Sequence, residues 1–215
     1  MRLIVVRHGE TAYNAERRFT GQKDIPLSAK GKEQAALVGK SLSSMHLDAI
    51  VSSDLERTRN TAQAVADYFG LPVKEDSDLR EISLGEWEGL TFAEVKERDP
   101  EGLAAWIIDP THNAAPGGEN VAQVRERVQR TLARWRARYP DGNVLWVTHG
   151  GLIGVLFCHV LGLDLNRRWQ FRHDNASIHE IWLRGERVEI ARLNETAHLR
   201  MGAEAENESP EHFLS

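Results

Sequence analysis

Three short apolar runs constrain this chain more than any other feature: Leu3-Ile4-Val5-Val6, Ala49-Ile50-Val51 and Val144-Leu145-Trp146-Val147. None of them alternates with polar residues. Strands built from them are apolar on both faces, so helices have to cover both sides of the sheet they form. The intervening sequence supplies those helices. Ala35, Val38, Gly39 and Leu42 fall at i, i+3, i+4, i+7, and Ala62, Val65, Ala66 and Phe69 repeat the spacing before Gly70 and Pro72 stop it. Val121, Val124, Val128, Leu132 and Trp135 mark a long amphipathic helix with Asn120 as its N-cap. Gly151 to Leu161 is apolar nearly all round and predicts a buried helix ending at Gly162. Ser177–Leu183 and Arg187–Leu193 flank Arg184-Gly185-Glu186 and read as an antiparallel hairpin on the sheet edge.

Strand–helix alternation of this kind predicts an α/β layered domain with a mainly parallel central sheet. At 215 residues the chain fits one domain, and no linker or repeat divides it. We place that domain at residues 1–201. Leu90 to Gly118 breaks the pattern with Pro100, Pro110, Pro116, short helical pieces and the aromatics Phe92 and Trp106. It reads either as a covering insertion over a site (90–118) or as a plain surface crossover. The formal charge of −5 is concentrated at the end, because 202–215 holds Glu204, Glu206, Glu208 and Glu211 and no Lys or Arg. This segment reads as an acidic, flexible tail. The body is close to neutral, which disfavours general nucleic-acid binding. No apolar stretch is long enough to span a membrane, no signal peptide is visible, and the single cysteine, Cys158, excludes an intrachain disulfide. A cytoplasmic location is therefore expected.

In parallel sheets, ligands sit beyond the carboxyl ends of the strands. The first strand runs into Arg7-His8-Gly9-Glu10-Thr11, and the Val144–Val147 strand runs into Thr148-His149-Gly150-Gly151. Two histidines at matching strand ends, each followed by Gly, are expected to face one crevice. The second strand runs into Ser52-Ser53-Asp54-Leu55-Glu56-Arg57-Thr58-Arg59 and delivers Arg57, with Arg59 as a further candidate, to the same rim. A cation at a helix start is opposed by the helix dipole at about 0.3–1 kcal/mol, a penalty that a bound anion reverses. Among the carboxylates of Leu79 to Gly89, Glu81 is the best candidate to point inward.

These residues resemble the signature of the histidine phosphatase superfamily, the phosphoglycerate mutase-like proteins. The match runs through Arg7-His8-Gly9-Glu10-Thr11, Asn14, Thr20-Gly21, Pro26-Leu27-Ser28, Gly31, Ser52 to Arg57, Glu81, Gly85, Gly89, Gly117-Gly118-Glu119 and Thr148-His149-Gly150. It covers roughly residues 1–200. The resemblance implies a three-layer α/β/α sandwich and a metal-independent phosphatase acting on a small phosphorylated metabolite, with no cofactor. It implies His8 as the nucleophile that becomes phosphohistidine and Glu81 as the general acid and base. Arg7, Arg57, His149 and Gly150 would hold the phosphate oxygens, with Asn14 and the backbone near Thr20 and Gly21 completing the pocket. A homodimer paired through sheet edges is compatible with the small members.

The chemistry accounts for these residue types. Phosphoryl transfer needs positioning and neutralisation of equatorial charge, which two guanidiniums and an imidazolium supply. The nucleophilic imidazole has to be neutral, and nearby Arg disfavours its protonation. His149 is expected to be protonated against a dianion, and burial of Glu81 would raise its pKa for acid catalysis. Three rival readings fit the residues less well. A metal site on His8 and His149 lacks compact ligand spacing and is repelled by the flanking Arg. A mutase shares the catalytic set, but the 68 positions between Glu81 and His149 resemble the compact phosphatases. A silent binding module would be expected to lose the nucleophile or the acid. Candidate substrates are phosphoserine, α-ribazole 5′-phosphate and phosphoglycerate-type metabolites. The leaving-group pocket is expected in the Phe92–Trp106 region, with Arg17, Arg18 or His173.

Overall fold

The computed structural model describes residues 1–200, so the acidic segment 202–215 lies outside the described residues. Six strands form one sheet: β1 (Arg2–Arg7), β2 (Ala49–Ser52), β3 (Val73–Glu75), β4 (Asn143–Thr148), β5 (Ile178–Arg184) and β6 (Arg187–Glu195). Their order is β3-β2-β4-β1-β5-β6. The first four are mutually parallel, and β5 and β6 add an antiparallel hairpin beside β1. The helices are α1 (Ala12–Ala15), α2 (Ala29–Leu42), α3 (Glu56–Phe69), α4 (Phe92–Arg98), α5 (Pro100–Ile108), α6 (Val121–Arg138) and α7 (Gly150–Leu161). The result is the expected α/β/α sandwich.

Strand pleating divides the apolar runs between the two helix layers. Ile4, Val6, Ile50, Leu145 and Val147 pack with Val38 and Leu42 of α2 and Ala62 and Val65 of α3. Leu3, Val5, Val51, Val144 and Trp146 point the other way, onto α6 and α7. These side chains are essentially removed from water, each stabilising the fold by roughly 1.5–3 kcal/mol. Gly70 and Gly162 end α3 and α7 in the left-handed conformation, as the stop signals predicted. The hairpin turns at Gly185, with Arg184 opposite Arg187. Strand β3 has only three residues and none is fully buried, so it carried no apolar-run signal. Segment 90–118 contributes Val95, Leu103 and Trp106 to the core under α6 and α7. Among the described residues, no helix is long and apolar enough to cross a membrane.

One backbone contact sets the entrance to the site. A Cβ on Gly9 would lie 2.3 Å from the Gly31 carbonyl oxygen, and one on Gly31 would lie 2.0 Å from that of Glu10. The start of α2 thus presses on the loop after β1 with no room for a side chain. Ser28 caps α2 through the Gly31 N–H and accepts a place beside Glu10, its hydroxyl donating to the Glu10 carboxylate at 3.1 Å. Gly31→Ala is expected to destabilise the protein by about 1–3 kcal/mol through overpacking. A urea midpoint equal to that of the wild type would contradict this reading.

Candidate active site

The in-register pairing of β1 with β4, Arg7 opposite Thr148, brings the two strand-end histidines together. The His8 N–H donates to the Thr148 carbonyl at 3.0 Å, and the His8 carbonyl accepts from Ala176 N–H and Asn175 Nδ2. The two imidazoles lie edge to face with centroids 5.1 Å apart, and both are buried. His8 Nδ1 is 2.7 Å from the Gly9 carbonyl oxygen. A carbonyl only accepts, so Nδ1 carries the proton and the neutral ring keeps its lone pair on Nε2. Burial, then Arg57 and Arg7, hold the His8 pKa well below its usual value. The same causes, led by burial and Arg57, hold His149 well below it too. Neither His149 nitrogen has a hydrogen-bond partner among the described residues. Protonation of that ring would have to be driven by an anion placed against it.

Arg57, in the first turn of α3, is fully buried. Its two terminal nitrogens donate to the carbonyls of Lys23 (2.7 Å) and Gly21 (2.8 Å), while Nε has no partner among the described residues. Gly21 therefore acts on Arg57 through its carbonyl, and the Thr20 hydroxyl donates weakly back to the Arg18 carbonyl at 3.4 Å. Arg7 donates to the His173 carbonyl at 2.5 Å and also keeps an unpartnered Nε. A Cβ on Gly150 would come within 3.3 Å of that Nε, so the bare backbone lets Arg7 lie across the start of α7. Asn14 forms a capping box with Thr11, and its Oδ1 also accepts from Asn175 at 3.1 Å. Arg59 is directed away, toward Glu75 at 3.9 Å.

Glu81 points inward as expected. The N-cap of α7 is His149, whose side chain makes no capping hydrogen bond. The Glu81 carboxylate takes that place: Oε2 accepts from Gly151 N–H at 3.1 Å, and Oε1 accepts from Leu152 N–H at 3.2 Å and Ile82 N–H at 2.9 Å. An anion at a helix N-terminus is favoured by its unpaired amides and dipole. The loop carrying Glu81 is fixed by residues to which the sequence reading gave no role. Arg127, from α6, donates to the carbonyls of Asp78, Arg80 and Glu81 at 2.9, 2.6 and 2.9 Å and pairs with Glu119 at 2.9 Å. Gln22 joins Glu81 to Glu119. In the sequence, Gly117-Gly118-Glu119 marks one end of this clamp, whereas Arg127 looks like any charged residue of an amphipathic helix.

The expected leaving-group residues are dispersed. Arg17 is exposed, Arg18 is tied to Glu16, Glu94 and the Gly89 carbonyl, and His173 is stacked on Phe157 with its ring buried. Trp106 is buried against Phe19, Trp87 and Trp169. Arg168, beside them, carried no sequence signal.

A family model described as "Histidine phosphatase superfamily (branch 1)" matches residues 3–196. The chain belongs to this superfamily. As a member, it is an enzyme of the phosphoric monoester hydrolase class. Phosphoserine phosphatase 1 of Hydrogenobacter thermophilus is 39% identical over 199 residues, covering 93% of this chain and 94% of that protein. A Salmonella choleraesuis protein named "Probable phosphoglycerate mutase GpmB" is 37% identical over 182 residues, 84% of each chain. The solved α-ribazole phosphatase of Shigella flexneri superposes with a TM-score of 0.85 at 31% identity, covering 91% of this chain and 96% of its own.

Two predictions follow from this geometry. Arg127→Lys keeps the charge but loses the fork that clamps three carbonyls. It should lower turnover by about 10- to 100-fold through displacement of Glu81, measured by steady-state kinetics beside a urea melt. The second concerns pH. Burial, with neighbouring positive charge, pushes His173 down to about 2 and His179 to about 4, in the same sense as His8 and His149. In the unfolded chain such rings titrate near pH ~6.5, so unfolding takes up protons below that pH. The stability conferred by neutral rings is present above pH ~6.5 and is lost as pH falls, at up to ~1.4 kcal/mol per pH unit for each ring. The urea midpoint at about pH 5 should therefore lie well below that at about pH 7.5. An unchanged midpoint would contradict the assignment.

Proposed function

We propose that this enzyme hydrolyses small phosphomonoesters through a phosphohistidine on His8. The observation that carries this reading is the 2.7 Å approach of His8 Nδ1 to the Gly9 carbonyl oxygen, which assigns the proton to Nδ1 and leaves the lone pair on Nε2 of a ring that has Arg57, Arg7 and His149 as neighbours. In the first step Nε2 bonds to phosphorus, and the bond from phosphorus to the ester oxygen breaks. The electron pair leaves on that oxygen, which takes a proton from the protonated Glu81 carboxyl, and the alcohol departs. In the second step water attacks phosphorus while giving a proton to the Glu81 carboxylate. The phosphorus–nitrogen bond breaks, inorganic phosphate leaves, and protonated Glu81 is restored.

Arg7, Arg57 and a His149 that takes up a proton from solvent when the dianion binds would carry the charge spread over the phosphate oxygens. Asn14, Thr20, Gly21 and Gly150 would border the phosphate, with Gly21 acting through Arg57. Glu81 oxygens differ in occupancy: Oε1 accepts two N–H groups and Oε2 one. Oε2 is therefore the oxygen with room for the transferred proton. Phosphoserine, α-ribazole 5′-phosphate and phosphoglycerate-type metabolites are the candidate substrates, in keeping with the names of the relatives.

The test is phosphate release from these esters and an aryl phosphate, with a chelator present throughout. His8→Ala should lower turnover by about three or more orders of magnitude while the fold is retained. Undiminished release by purified His8→Ala would overturn the mechanism. Loss of wild-type release in chelator, restored by one metal, would overturn metal independence. Isomerisation of phosphoglycerate with a bisphosphate primer, without phosphate release, would favour the mutase reading suggested by the Salmonella relative.

A further inference from the structure

Two arginines outside the phosphate pocket are buried, and they differ in one respect. Arg127 meets carbonyls and a carboxylate with its whole fork. Arg168, in the 3₁₀ segment Leu165–Gln170, is 2% exposed, yet none of its three guanidinium nitrogens has a hydrogen-bond partner among the described residues. Trp106 Nε1 beside it is likewise buried and unpartnered. The guanidinium lies 4.0 Å from the ring centroid of Trp169 and 5.7 Å from that of Trp106. Burial pushes its pKa down to about 10, so it remains charged at neutral pH. Among the described residues no carboxylate forms an ion pair with it, and a buried charge without a partner is costly. The rings supply a cation–π attraction but accept none of its N–H groups.

Its position relative to the reacting groups is fixed by α7. A Cβ on Gly154 would come within 3.1 Å of the Arg168 carbonyl oxygen and 3.2 Å of its Cβ, so the missing side chain seats this segment directly on the helix. Gly154 lies three and two residues, about 4.5 and 3 Å of helix rise, beyond Gly151 and Leu152, whose amides hold Glu81. The side chains of Cys158 and, less strongly, Glu81 are the electrostatic neighbours of Arg168. The aromatic cluster of Trp106, Phe19 and Trp87 closes the other side, and Phe19 precedes the Thr20-Gly21 turn that carries Arg57. The guanidinium therefore lies between α7 and the cluster of Trp106, within electrostatic reach of Glu81. A planar two-oxygen anion matches the guanidinium fork. In a short phosphorylated hydroxy or amino acid, the carboxylate oxygens lie roughly 3–5 Å from the ester oxygen, comparable to the three-residue rise from Gly151 to Gly154.

We propose that Arg168, together with Trp106 Nε1, is a leaving-group subsite that binds the carboxylate of a short phosphorylated hydroxy or amino acid. This inference rests on the phosphatase reading and narrows it: it favours acids such as phosphoserine or phosphoglycerate over α-ribazole 5′-phosphate, which has no carboxylate to offer.

The experiment uses matched esters. O-phosphoserine is compared with O-phosphoethanolamine, which lacks only the carboxylate, and 3-phosphoglycerate with glycerol 3-phosphate. The readout is the ratio of kcat/KM within each pair, which is independent of the fraction of folded enzyme. The wild type should prefer the acid in at least one pair. Arg168→Gln and Arg168→Met should each lower that ratio on the order of 100-fold, mainly through KM, and Arg168→Lys should recover part of it. A wild-type ratio near one in both pairs would overturn the subsite while leaving the phosphatase reading intact. So would an unchanged ratio in the variants, including a variant that melts earlier. Absence of turnover of every ester by the wild type would overturn the phosphatase reading and the subsite with it.

Discussion

The parallel pairing of β1 with β4 is the contact on which the site depends. Parallel neighbours end at the same edge of the sheet, so their terminal residues become neighbours without any help from loops. Here the register sets Arg7 opposite Thr148, and the next residues, His8 and His149, meet at 5.1 Å. A slip of one residue would turn every side chain of β1 to the other face and separate the rings. The two apolar clusters resist such a slip, because Leu3 and Val5 are committed to the α6–α7 layer and Ile4 and Val6 to the α2–α3 layer. The core and the chemistry are specified by the same alternation.

Around this pair the protein concentrates positive charge while withholding protons from the rings. Arg7 and Arg57 are held by backbone carbonyls rather than by carboxylates, so their charge is not neutralised at the site. That field, with burial, keeps both imidazoles neutral. One ring thereby keeps the lone pair proposed to attack phosphorus, and a dianion is the species that would relieve the excess of positive charge.

The parts of the fold that were legible in the sequence are those with a strong local or periodic cause. The unbroken apolar runs, the stops at Gly70 and Gly162 and the turn at Gly185 each act within a few residues. Arg7, His8, Arg57, Glu81 and His149 were legible because each follows a strand or an extended segment and because their combination resembles a known signature. The hidden parts depend on contacts across the chain. Arg127 clamps a loop 46 to 49 residues away, and on its own helix it looks like any charged residue. Arg168 sits in an Arg-Arg-Trp stretch that reads as solvent-facing, and only its seating on Gly154 and its burial beside Trp106 set it apart. The bond from Arg57 to the Gly21 carbonyl likewise joins residues 36 positions apart and has no local signal.

The cap that Glu81 places on α7 also bears on how the site can be dissected. A glutamine is commonly used as the uncharged, same-shape replacement for a glutamate. At this position one oxygen would become an NH₂ group facing the Gly151 amide, and two donors would oppose each other where an acceptor now stands. Turning the amide over would set that NH₂ against Leu152 and Ile82 instead. The helix start has no cap of its own to fall back on. The replacement therefore removes a proton carrier and a structural fastening in one stroke, and a loss of rate in that variant would overstate what proton transfer alone contributes.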